Sequence, residues 1–299
     1  MRSQLIDITG VIRKMRGGSQ SHLVKGNDGR CYVAKFAGNP QGSRTLINEC
    51  IGYQLLRMIS VATPPLKLLR VSQQVIDEQH FHFEIGSQRV PVRSGVHLGS
   101  QCPANPNTKV IFDFLPRKFL THTVNLEDFA KVFVIDKLLG QADTRQAIFV
   151  RERGRGKGDI AFRAYMIDQG GLFGQSRWIF EDAPLHGLFL DRHMYSLFDT
   201  RRVCLETIEL LQKVNQNDLY NCIRSIPPAW FAEGDHDRLA ELFSELVSRI
   251  ARIDSIVRWQ LDELMRGCPS TSTAARKRPV DLRNSQEPIA PEPIALVHR

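Results

Sequence analysis

The stretch from Val134 to Gly174 constrains the fold of this chain more than any other. It reads as the end of a helix, a polar turn holding Asp143, a strand, a basic Gly-rich hairpin tip and a second strand ending at Ile167-Asp168. One carboxylate follows a buried helix, and a second stands at the mouth of a hairpin 25 residues later. Such a pair suits phosphoryl transfer: one carboxylate can accept the proton of an attacking hydroxyl, and the other can hold Mg²⁺ against nucleotide phosphates.

Several classes are excluded or disfavoured. No run of eighteen apolar residues exists, so a transmembrane helix is not expected. The N-terminus lacks an apolar stretch before a small-residue cleavage site, and the expected location is cytoplasmic. The six cysteines, at 31, 50, 102, 204, 222 and 268, form no CxxC pair, and reduced thiols are expected. His80 and His82 would share a strand face, but without a third ligand nearby a solvated face is the better account. Between Arg145 and Arg163 six basic residues stand against Glu152 and Asp159, an excess of four, which is half of the net +8. This is a solvated hairpin tip or an electrostatic guide for an anionic partner.

In the first half, Ile6 and Ile8 alternate with polar neighbours and Val11-Ile12 follow Gly10, as in a half-buried strand with one irregularity. Gly17-Gly18-Ser19-Gln20-Ser21 then lead into strands at 22–25 and 31–36 joined by a Gly26–Gly29 turn. Small residues there would let backbone N–H groups approach phosphates. Lys35 lies on an otherwise apolar strand face, which is costly unless it meets an anion. Glu49 lies beside the apolar stripe of a helix over 43–60, and a strand Lys paired with a helix Glu orients the phosphate-binding lysine in protein kinases. Further expectations are a strand over 66–71, β alternation over 72–93, a polar loop over 94–108 and a buried strand from Val110 into a connector at Pro116.

In the second half, an amphipathic helix over 125–139 delivers the Asp143 turn. Short helices follow at 193–198, 201–214 and 218–224, with one long helix over 237–265. From Gly267 the composition predicts a disordered tail, and its Arg276-Lys277-Arg278 cluster is a weak nucleic-acid or localisation signal.

Taken in order, Gly18–Leu23, Val33-Ala34-Lys35-Phe36, Asn48-Glu49, Asp113–Pro116, Ala142–Gln146, Met166–Gly170 and Asp182–Leu188 resemble the HipA-like kinase family, most closely its short stand-alone branch. The resemblance spans about residues 5 to 265. It implies an α+β, two-lobed protein-kinase-like fold, with a β-rich N-lobe over about 1–116, a mainly helical C-lobe over about 117–266 and the tail over 267–299. It implies ATP and Mg²⁺ as cofactors. Gly18, Ser19 and Gln20 would form the phosphate loop, Lys35 would contact the α/β-phosphates and Glu49 would orient it. The hinge would run from Phe112 through Phe114 and Leu115, Asp143 would be the base and Asp168 the metal ligand. One departure stands out: the family places a metal-binding Asn five residues after the base, where this chain has Ile148, and the nearest amide is Gln146.

Two classes of function follow. One is a kinase acting on a protein Ser/Thr or small-molecule hydroxyl; the other is a pseudokinase-type nucleotide-binding or interaction module. The resemblance also brings autophosphorylation at Ser19 or Ser21 and an antitoxin-like partner into consideration. Nucleic-acid binding is disfavoured, because aromatic residues are not interleaved with the basic ones.

Overall fold

Half-buried strands in the first hundred residues need a partner surface, and they find it in one another. The computed structural model describes residues 5–106, 108–154 and 159–266; the expected tail with its Arg276-Lys277-Arg278 cluster and the tip of the basic hairpin lie outside the described residues. The first lobe runs β1 (Ile6–Lys14), β2 (His22–Gly26), β3 (Cys31–Lys35), α1 (Arg44–Met58), β4 (Leu66–Val71), α2 (Gln73–Gln79), β5 (His82–Ile85), β6 (Gln88–Pro91) and β7 (Gly95–Gln101). The second runs β8 (Ile111–Phe112), α3 (Arg117–Leu120), α4 (Asp128–Leu138), β9 (Gln146–Arg153), β10 (Ile160–Ile167), α5 (Thr200–Leu211), α6 (Gln216–Ile223), α7 (Asp235–Ala251) and α8 (Ile253–Arg266).

The first lobe is a closed barrel in the order β1-β2-β3-β7-β4, sealed by a parallel contact between β1 and β4. The register of β1 slips twice, once beside Gly10 and once between Val11 and Arg13. Ile6, Ile8, Val24, Tyr32, Phe36 and Leu69 fill the lobe's own core, which Ile76 of α2 and Phe81 and Phe83 around β5 extend. The second lobe has a larger core built around α4, α7, α8 and the antiparallel sheet β10-β9-β8. Between the two lies α1, buried on nearly every side from Thr45 to Leu56. Its close approach to the residues after β10 requires Gly52, where a Cβ would meet Leu172 at 2.6 Å.

Four expectations are corrected. The span 72–93 is not continuous β structure: Ser72 caps α2 by accepting from the Val75 N–H, and the helix ends at His80 in the left-handed region, so His80 and His82 do not share a strand face. The polar loop expected over 94–108 contains β7, which pairs with both β3 and β4. Its glycine is a packing requirement, since a Cβ at Gly99 would stand 2.5 Å from Leu69. The strand expected from Val110 shrinks to Ile111–Phe112, with Val110 42% exposed. The long C-terminal helix is two helices, because Arg252 (φ −116°, ψ 19°) interrupts it.

His97 on β7 is buried with both ring nitrogens occupied: Nδ1 accepts from the Ala37 N–H at 3.0 Å, and Nε2 lies 3.0 Å from the Arg93 carbonyl, to which it donates. Burial lowers the pKa of His97 to about 4, and burial does the same for His22 among Phe36 and Phe81. An unfolded histidine takes up its proton near pH 6.5, whereas these two resist until about pH 4. The unfolded state therefore binds more protons in that interval, and stability falls as pH drops from about 6.5 to about 4. The expected loss is about 2–3 kcal/mol per histidine. Thermal melts across this range check it, with the slope reduced by about half in His97→Gln.

Candidate functional site

Lys35 is the last residue of β3, opposite Leu98 on β7. Its ammonium bonds Glu49 Oε1 of α1 and lies 2.8 Å from Asp168 Oδ1, one residue past β10. The sequence-predicted Lys–Glu pair is formed, and Asp168 joins it. Burial disfavours the ammonium, but the two facing carboxylates outweigh it and raise the Lys35 pKa. Lys35 in turn holds the Asp168 carboxyl below the usual range. Glu49 is 4% exposed, and burial pushes its carboxyl up against the opposing pull of Lys35. Its Oε1 also accepts the Gly170 N–H at 3.1 Å, which ties α1 to the chain just after Asp168.

Asp168 has φ 63°, a left-handed conformation that non-glycine residues adopt at some cost and that is concentrated at functional sites. Its Oδ2 accepts from Gln146 Nε2 at 3.0 Å, so the two residues expected to hold metal are neighbours. Asp143 is exposed in the turn before β9, and its Oδ2 accepts from Gln175 Nε2 at 3.3 Å. The Asp143 and Asp168 segments are stitched together. The Ala142 N–H donates to the Gly171 carbonyl at 2.9 Å, and the Gln141 side chain reaches the Asp168 carbonyl at 3.4 Å. A Cβ at Gly171 would lie 2.0 Å from Gln141 Oε1 and 3.0 Å from Asp143 Oδ2, so a larger residue there would have to displace the Gln141 amide.

Two buried polar groups, Asn48 and Arg145, to which the sequence reading assigned no role, hold this frame. Asn48 Nδ2 donates to the carbonyls of Gly170, Leu172 and Gln175, while its Oδ1 accepts from Trp178 Nε1. It locks a segment in which Phe173, Gln175 and Trp178 all have positive φ. Arg145 corrects the expectation of a solvated basic cluster over 145–163. It is 2% exposed and makes a bidentate pair with the fully buried Asp136 of α4, while its third nitrogen donates to the Ile167 carbonyl at 2.8 Å. Arg163 is likewise paired, with Glu152 at 2.8 Å, whereas Arg151 and Arg153 are exposed.

The remaining expected residues are placed as follows. Gly18 and Ser19 lie in the turn between β1 and β2, closed by the Met15 N–H on the Ser21 carbonyl. A Cβ at Gly18 would meet Gln41 at 2.9 Å. Gln20 sits in the same turn, but both ends of its amide bond the backbone of Glu84, at 2.6 and 2.8 Å. Its main-chain N–H is also taken, donating to the Gly17 carbonyl at 3.1 Å, so Gln20 presents no free donor to a phosphate. Phe114 is 63% exposed beyond β8, and Leu115 points its side chain into the core.

The order of a five-stranded barrel followed by a mainly helical lobe is matched in a solved structure. A crystal structure of the Helicobacter pylori proinflammatory kinase CtkA aligns at TM-score 0.51 and 14% identity, over 87% of this chain and all of that one. The fold is protein-kinase-like. Two structures of a Golgi casein kinase align less closely, at TM-scores of 0.46 and 0.44. The first is 14% identical over 90% of this chain and 76% of that chain; the second, with Mn and ADP bound, is 11% identical over 84% and 74%. The kinase-like fold rests on the first of these and does not single out the HipA-like branch. No protein-family model matches the sequence, and no curated protein does. Among the described residues no helix is long and apolar enough to cross a membrane.

Proposed function

We propose that this chain is an ATP- and Mg²⁺-dependent kinase of the short HipA-like type, transferring the γ-phosphoryl group to a Ser, Thr or small-molecule hydroxyl. The observation that carries this is the Lys35 ammonium held between Glu49 and Asp168, with Asp143 stitched to the same segment. Lys35 offers charge to phosphate oxygens, and Glu49 keeps it from collapsing onto Asp168 alone. Asp143 accepts the hydroxyl proton as the new O–P bond forms and ADP leaves. The segment from Phe112 to Leu115 would supply backbone groups to the adenine edge, and the turn at Gly18 and Ser19 would cover the phosphates.

The donor set suits a hard cation. Asp168 and the exposed Gln146 offer oxygens, and among the described residues no group of three His, Cys, Asp or Glu side chains surrounds a metal-sized space. Mg²⁺ is commonly held by one or two protein oxygens plus phosphates and water, and when bound it would neutralise phosphate charge. Gln146 would present its carbonyl oxygen after a half-turn of the amide, whose orientation is assigned from hydrogen bonding. The experiment is ADP formation from ATP at increasing Mg²⁺, in the parent and in Gln146→Leu. The variant should need about tenfold more Mg²⁺ for half-maximal rate; an unchanged requirement would remove Gln146 from the metal site.

The second class, nucleotide binding without turnover, is favoured by Ile148. It lies within β9 opposite Tyr165 and offers no ligand atom where the family resemblance implies an asparagine. Saturable nucleotide binding with no ADP formed at any Mg²⁺ concentration would select it.

A further inference from the structure

A second concave site lies apart from Lys35, Asp143 and Asp168. It is a cavity of about 630 Å³ between the C-terminal half of α1, the turn that follows it, the start of β4, the head of α4 and β10. That size falls within the usual range for small-molecule pockets, about 300–1,000 Å³. Arg57, Lys67 and Arg163 supply three cations to its lining, against the single carboxylate of Asp128.

Asp128 is engaged chiefly with other groups. Its Oδ2 accepts from the Ala62 N–H at 3.0 Å and from Asn125 Nδ2 at 2.7 Å, while its Oδ1 faces Lys131 at 3.5 Å. Arg163 is shared with Glu152, but neither Arg57 nor Lys67 has a carboxylate partner among the described residues. Arg57 instead stands 5.7 Å from the centre of the Tyr53 ring. Tyr53 and Tyr165 line the cavity with hydroxyls that make no hydrogen bond among the described residues. Unpaired cations grouped with free hydroxyl donors in a concavity form an anion receptor.

We propose that this cavity binds a phosphate-bearing small molecule, its phosphate on Arg57 and Lys67. The site borders both elements that place the Lys35 centre. Arg57 and Tyr53 follow Glu49 along α1. The cavity-lining Ala62 and Thr63 hold β10 two residues before Asp168, through the Met166 N–H on the Ala62 carbonyl and Thr63 Oγ1 on the Met166 carbonyl, both at 2.9 Å.

The test is isothermal titration with inorganic pyrophosphate in the absence of nucleotide and divalent metal, so it does not depend on the kinase proposal. The parent should bind with Kd below about 1 mM. Arg57→Glu/Lys67→Glu should weaken binding by about tenfold or more, and the milder Arg57→Gln/Lys67→Gln should also weaken it with an unchanged melting temperature. Arg151→Glu/Arg153→Glu, which changes net charge equally at exposed residues elsewhere, should retain parental affinity. Equal losses in the two charge reversals, parental affinity in the Arg57/Lys67 variants, or no saturable binding up to about 10 mM would each overturn the proposal.

Discussion

Asp143→Asn is expected to slow phosphoryl transfer by about 10²–10⁴-fold, the usual contribution of a positioned general base. The melting temperature should stay within about 2 °C of the parent's, because the side chain is exposed and its one hydrogen bond among the described residues, to Gln175, is long at 3.3 Å. The turn that carries it is held by main-chain bonds that the substitution does not touch, from Ala142 to Gly171 and from Gly187 to the Asp143 carbonyl. An asparagine of the same size keeps that geometry and cannot take up the hydroxyl proton. Affinity for nucleotide should persist while turnover is lost. Phosphotransfer assays beside a binding isotherm separate the two, and parental turnover in Asp143→Asn would assign the base elsewhere.

Arg145→Met should lower both stability and activity. Removing the guanidinium leaves the Asp136 carboxylate buried without its partner, which costs about 3–5 kcal/mol. In a chain of this size that corresponds to a melting temperature lower by about 10 °C. Arg145 also anchors the Ile167 carbonyl, so Asp168 loses the support of its preceding residue. The double variant Asp136→Leu/Arg145→Met discriminates between these effects. It should recover most of the stability, because a buried ion pair replaced by apolar side chains is often neutral. Its activity should remain depressed, because the Ile167 anchor is still missing. Full recovery of activity would make the pair a matter of packing alone.

How much was legible in the sequence follows from which interactions are local. The Lys35–Glu49 pair could be read because a charged residue on an apolar strand face needs a counter-charge, and the next helix offers one within fourteen residues. The β9–β10 hairpin and its flanking carboxylates carried their own turn and alternation signals. β7 could not be read as a strand: its Gly99 is set by the approach of Leu69 from β4, and its buried His97 is satisfied by backbone at Ala37 and Arg93. Local composition there says turn, and tertiary contact overrides it. The buried roles of Arg145 and Asn48 were hidden for the same reason. A charged or amide residue in a polar string looks exposed until the carbonyls it serves, more than a hundred residues away for Asn48, are known. α1 was legible as a helix, but its burial on nearly every side shows only when the barrel and the 168–178 segment close over it.

The most direct test of the Lys35–Asp168 centre is the melting temperature with ATP alone and with ATP plus Mg²⁺, for the parent and for Asp168→Ala. The variant keeps the Lys35–Glu49 pair, so it should fold. Ligand at about 100 times its Kd stabilises the folded state by about 2.7 kcal/mol, a shift of several degrees. The expected result is a Mg²⁺-dependent rise in the parent that disappears in Asp168→Ala. An identical rise in both proteins, or none in either, would contradict a nucleotide–metal site at Asp168.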